Sequence, residues 1–111
     1  MKETEKQPSE ISLDCFVTIN HDDVVSRELE GEAVMLNLES GVYFGLDEVG
    51  TRIWALIQED GSLRTVFEAM RREYDVAPAT LESDLVRLVD ELRVKGLVTV
   101  SPSKPGKEPG L

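Results

Sequence analysis

An α+β domain, with a three-stranded antiparallel sheet followed by three helices, is the fold class this sequence predicts. Three observations carry it. Two glycine-containing turns, Glu30-Gly31 and Ser40-Gly41, divide residues 24–46 into three short runs of alternating character. Three longer segments between residues 48 and 96 repeat apolar residues at helical spacing. The connections among these elements are short, so consecutive elements should be neighbours in space.

Residues 1–23 read as a flexible N-terminal segment. Its first part, "MKETEKQPSE", is polar and charged and has no apolar stretch of the signal-peptide kind. The following "ISLDCFVTIN" alternates loosely, which allows a short strand at 15–19 or an extended lead-in. The meander begins with "VVSREL" (24–29), continues with "EAVMLNLE" (32–39) and ends with "VYFGL" (42–46). In the second run Val34, Leu36 and Leu38 share one face, and Ala33, Met35 and Asn37 the other. In the third, Val42, Phe44 and Leu46 lie opposite Tyr43 and Gly45. One face of such a sheet is buried and the other lighter, so helices should cover one side only.

Asp47 is placed to cap "EVGTRIWALIQE", whose stripe is Val49, Ile53, Trp54, Leu56 and Ile57. Gly61 and Ser62 separate it from "LRTVFEAMRREYD", with apolar Leu63, Val66, Phe67, Met70 and Tyr74. The third helix starts near Pro78 and runs to Gly96 on Leu81, Leu85, Leu88 and Leu92, with Val89 beside them. "LVTV" (97–100) then reads as a short strand or extended tail. The last two helices, joined by a short turn, also fit a helix-turn-helix. The tail 101–111, with three prolines, two glycines and three charges, reads as disordered.

Composition narrows the function. The 111 residues give room for one small domain. The formal net charge of −10 is concentrated before residue 61, and no segment is a basic patch of the kind that neutralises phosphates. Between Glu82 and Lys95 the third helix carries four acids against three bases, which is unlike a DNA-reading helix. Nucleic acid and anionic membranes are therefore poor partners, and no apolar run is long enough to span a bilayer. The single cysteine, Cys15, cannot form an internal disulfide and points to a reducing cytoplasm.

Parts for catalysis are missing. His21 is the one histidine, and beside Asp22 and Asp23 it lacks the spacing that surrounds a metal ion. Cys15 has no second histidine to serve as its base and lies in an apolar run. Neither G-x-x-x-x-G-K-[S/T] nor G-x-G-x-x-G occurs. The expectation is a chain that is not an enzyme and takes no cofactor or metal.

With these elements in place, "LNLESGVYFGLDEVGTRIWALI" (36–57) and "AMRREYDVAPATLESDLVRLVDEL…GLV" (69–98) resemble the PqqD-like family, whose domains are also called RiPP recognition elements. The likeness rests on Leu36-x-Leu38, Gly41-x-Tyr43-Phe44-x-Leu46-Asp47, Gly50, Trp54, Tyr74, Asp84 and Gly96-Leu97, and covers about residues 24–100. It implies a winged helix-turn-helix core that binds the leader segment of a ribosomally made precursor peptide. The leader adds as a strand to the third strand and enters a groove beside the third helix. The partner is then a modifying enzyme, either a radical SAM enzyme or a transglutaminase-like protease. Many relatives have Asn in place of Asp47, and either residue can cap the helix.

The residues support such binding on their own terms. Strand addition takes affinity from backbone hydrogen bonds and needs an unblocked edge, which Val42, Tyr43, Phe44, Gly45 and Leu46 could supply. Gly45 removes a side chain where a second backbone would approach. Asp84, Arg87, Leu88 and Glu91 lie within about two turns of helix and could form the far wall, its acids favouring Lys or Arg in the leader. The same edge also suits a homodimerising interaction module, and a winged-helix transcription regulator is a third reading. The expected oligomeric state is monomer or weak homodimer.

Overall fold

The computed structural model describes residues 11–102. The expectations for residues 1–10 and 103–111 lie outside the described residues. In chain order the elements are β1 (Phe16–Ile19), β2 (Val24–Leu29), β3 (Glu32–Asn37), β4 (Tyr43–Gly45), α1 (Glu48–Glu59), α2 (Leu63–Glu73), α3 (Pro78–Val94) and β5 (Val98–Ser101). The α+β class is as the sequence predicts: β2, β3 and β4 form an antiparallel sheet in that order, and three helices follow.

The two hairpins differ. Glu30 and Gly31 have φ of 54° and 82°, the paired left-handed residues of a two-residue turn whose twist matches its strands. The second connection is wider than a Ser40-Gly41 turn, because β3 stops at Asn37 and β4 starts only at Tyr43. Asn37 causes this. Its Oδ1 accepts from the N–H groups of Glu39 (2.9 Å) and Ser40 (3.2 Å), and its carbonyl accepts from Gly41 (2.7 Å). A side chain that takes over neighbouring backbone donors ends a ladder.

The register pairs Val25 with Leu36 and Leu36 with Tyr43 on one face, and Ser26 with Met35 and Met35 with Phe44 on the other. The second face meets the helices: Ala33, Met35 and Leu46 are buried and Phe44 half-buried. The first face is open, with Val25 47% and Tyr43 70% exposed. The helical stripes fill the core as read, Trp54, Phe67 and Leu85 among them, while Val49 of the first stripe is exposed. Asp47 caps α1 by accepting from Gly50 N–H at 2.9 Å, and Ser62 caps α2. Beyond α3, Gly96 has φ of 76°, and Leu97 N–H reaches the Leu92 carbonyl (2.9 Å), the left-handed closure that glycine permits.

The segment 1–23 has to be divided. Phe16–Ile19 forms a strand antiparallel to β5, and Leu13, Cys15, Val17 and Ile19 are buried in the common core. Val17 N–H donates to the Gly61 carbonyl at 2.8 Å, and Leu63 N–H to that of Cys15 at 3.1 Å. Residues 13–19 are thus part of the domain. Their partner strand lies some eighty residues later, so local alternation alone could not secure the assignment.

Candidate functional site

The outer side of β4 is one of the two free edges of the sheet, the other being that of β2. Asn37 N–H donates to the Val42 carbonyl at 2.9 Å, and Leu46 N–H donates to the Ala33 carbonyl at 2.8 Å. In an antiparallel ladder alternate residues turn both polar groups to one neighbour, so Val42, Phe44 and Leu46 face β3. The N–H and C=O groups of Tyr43 and Gly45 therefore point outward, where no described strand pairs with them. Four backbone groups on a two-residue period are what a guest strand requires.

The side chains of this stretch have separate surroundings. Val42 lies just before β4 and is 37% exposed, so it does not join Phe44 against the helices as its spacing suggested. Tyr43 stands on the open face. Gly45 is exposed, and a Cβ built on it would meet nothing within 4 Å. The fold itself does not demand glycine there. Leu46 is core, 6% exposed and packed so closely on Gly50 that a Cβ there would stand 3.0 Å from Leu46 Cδ2.

Thr51 of α1 closes the end of the strand pair. Its Oγ1 accepts from Ala33 N–H at 2.7 Å and donates to the Leu46 carbonyl at 3.3 Å. Two buried backbone groups at the sheet end are satisfied by one hydroxyl, and the exit of β4 is fixed relative to α1.

The other residues singled out by the sequence lie on α3. Asp84, Leu88, Glu91 and Lys95 recur at spacings of 4, 3 and 4, which puts them on one flank of the helix. Leu88 is half-buried against the core, and Asp84 and Glu91 are exposed. Arg87 lies further round and donates to Asp84 Oδ1 at 3.1 Å, so these two charges offset each other. Arg93 is likewise bound to Asp90, at 2.7 Å.

The end of α3 meets the sheet through Lys95 and Asn37. The Lys95 ammonium lies 5.7 Å from the centroid of the Phe44 ring. Asn37 Nδ2 donates to the Lys95 carbonyl at 3.1 Å, and Asn20 Nδ2 to the Gly96 carbonyl at 2.9 Å. Sequence reasoning passed over Lys95 because it follows the regular helix, and over Asn37 and Thr51 because they sit among apolar neighbours. The 4-3-4 spacing from Asp84 was the signal for Lys95. A polar residue on the buried face of a strand was the signal for Asn37.

Among the described residues, no group of three or more His, Cys, Asp or Glu is placed to hold a metal ion. No described helix is long and apolar enough to cross a membrane.

Comparison with known proteins bears on this edge. Residues 32–98 match the family described as coenzyme PQQ synthesis protein D (PqqD). The fold is similar to that of a solved structure described as TbiB1 in complex with the TbiA(beta) leader peptide. The two chains are 37% identical with a TM-score of 0.69, over 83% of this chain and 99% of the other. None of the curated proteins matches the chain.

Proposed function

The chain belongs to the PqqD family, and from that footing we propose that it binds the leader segment of a ribosomally synthesised precursor peptide without catalysing a reaction itself. The observation that carries the reading is the unpaired backbone of Tyr43 and Gly45. A leader laid along β4 gains hydrogen bonds at these two residues, and alternate side chains fall towards Phe44 and the flank of α3. Val42 and Leu46 frame the edge; Asp84, Arg87, Leu88 and Glu91 supply the far wall. The leader complex of the 37%-identical TbiB1 supports the same ligand class here. The bound precursor is then presented to a modifying enzyme, a radical SAM enzyme or a transglutaminase-like protease. Genes beside the one for this chain identify which.

An NMR titration tests the reading. Adding the leader of the precursor encoded nearby should shift the amides of residues 42–46 and 84–95. Shifts along β4 that grow with protein concentration, in the absence of peptide, would favour the homodimer. Silence towards the peptide together with salt-sensitive retention on DNA would favour a regulator. The pairing of Arg87 and Arg93 with acids on their own helix already leaves α3 little charge to offer a phosphate backbone.

A further inference from the structure

Lys95 stands between the Phe44 ring, 5.7 Å from its ammonium, and Glu91, one turn earlier on its own helix. Its backbone is fixed from both sides: Lys95 N–H donates to the Glu91 carbonyl at 3.1 Å, and Asn37 Nδ2 holds its carbonyl at 3.1 Å. The position from which the side chain springs is therefore tied to β3 and, through the Asn37–Val42 bond, to the start of β4. The ammonium reaches Phe44 rather than a carboxylate, and among the described residues Lys95 takes part in no ion pair. Glu91, one turn earlier, is the acid an exposed lysine would ordinarily meet.

We propose that Lys95 is a specificity-determining residue of the groove, and that it selects a leader carrying an Asp or Glu next to the apolar side chain that packs on Phe44. The inference rests on the leader-binding reading above and adds the chemistry of the ligand. A guest strand bonded to Tyr43 and Gly45 places its helix-facing side chains on the Phe44 side of the sheet. A carboxylate at that level comes within reach of an ammonium that has no acidic partner. The half-buried Phe44 ring, 5.7 Å from the exposed ammonium, holds the lysine at this level of the strand. The remainder of the domain is acidic, so an anionic leader residue meets attraction at Lys95 and repulsion at Glu91, while Arg87 offsets the charge of Asp84. A leader that placed its acid elsewhere along the groove would bind less well. This modifies the simpler expectation that the wall favours only Lys or Arg: the basic residues belong beside Glu91, and one acid belongs at Phe44.

The test is a charge-swap cycle with a fluorescently labelled synthetic leader, copied from the precursor encoded beside this gene. Each Asp and Glu of the peptide is changed to Lys in turn, and every peptide is titrated against wild type, Lys95→Met and Lys95→Glu. Lys95→Met keeps an apolar stem on Phe44 and removes the charge, so a loss of packing is separated from a loss of attraction. The expected result is a loss of roughly tenfold for the native leader with Lys95→Met and more with Lys95→Glu. One Lys-substituted peptide should recover most of that affinity on Lys95→Glu. Tight binding of the native leader by all three proteins, or losses that no peptide change recovers, overturns the assignment to Lys95 and leaves the leader-binding reading standing. No binding of any peptide by wild type overturns both.

Discussion

Gly96 lies so close to Asn37 that a Cβ on the glycine would stand 2.7 Å from the asparagine Nδ2. The contact joins the end of α3 to the end of β3 and so fixes where the helix ends relative to the sheet. Gly96→Ala must both hold a φ of 76° and push that amide away. It should cost about 1–3 kcal/mol in chemical denaturation. Asn37→Ala should lose a similar amount while leaving the glycine undisturbed. A Gly96→Ala domain as stable as wild type would show that α3 ends on something other than this contact.

Proline distinguishes the two backbone directions of β4. Phe44 N–H faces β3, so proline there damages the domain's own ladder and cannot report on a ligand. Tyr43 N–H faces outward, and an edge strand tolerates a proline in that orientation. Tyr43→Pro should remain folded by circular dichroism and weaken leader binding by roughly tenfold or more. Tyr43→Ala serves as the control for the lost ring. Normal binding by folded Tyr43→Pro would place the leader elsewhere.

Thr51 is an isolated polar group whose loss is measurable. Thr51→Val preserves shape but strands Ala33 N–H and the Leu46 carbonyl in a buried site. A loss of about 1–3 kcal/mol is expected in urea denaturation, with Thr51→Ser close to wild type. Equal stability of the valine variant would mean those groups find other partners.

Glu30 has room for improvement. It holds a φ of 54° in the β2–β3 turn, a conformation that asparagine adopts more readily. Glu30→Asn should raise stability by about 0.5–1 kcal/mol and leave leader binding unchanged. A drop in melting temperature would contradict the turn geometry.

Acid should weaken the link between α1 and α2. Arg52 donates two hydrogen bonds to Glu73, at 2.8 and 2.7 Å, which hold the glutamate below its ordinary pKa. A carboxyl lowered in the folded state contributes stability above its unfolded pKa, and that contribution is lost as pH falls through the folded value. Carboxyl-detected NMR should find Glu73 titrating below the ordinary glutamate value, and Arg52→Gln should move it back towards that value. An unchanged midpoint in that variant would assign the shift to another cause.

The sequence carried the helices well because their information is local. Asp47 and Ser62 cap as read, and the stripes through Trp54, Phe67 and Leu85 are buried. The strand assignments stayed open or ran too long where a distant partner or a single side chain decides. Phe16–Ile19 gains its identity from Val98–Ser101, and β3 ends two residues early because Asn37 diverts the donors that would extend it. The candidate site was legible as an edge, since the run around Gly45 has no charge or proline to block it. The flank of α3 proposed as its far wall reads as a helix flank in the sequence up to Glu91. Lys95 continues that spacing but follows the last regular turn, so its position depends on how Asn37 holds its carbonyl.

β1 and β5 pair so that Phe16 lies opposite Ser101 and Ile19 opposite Val98, which brings the chain's entry and exit together at one end of the small sheet. A pull separating residues 11 and 102 would load those hydrogen bonds one after another, as a zip opens, and not all at once. After the fourth pair the next contacts in line are Asn20 N–H on the Leu97 carbonyl and Asn20 Nδ2 on the Gly96 carbonyl. In a single-molecule pulling experiment the domain should therefore yield at low force, and the grip on the end of α3 should be the second thing to go.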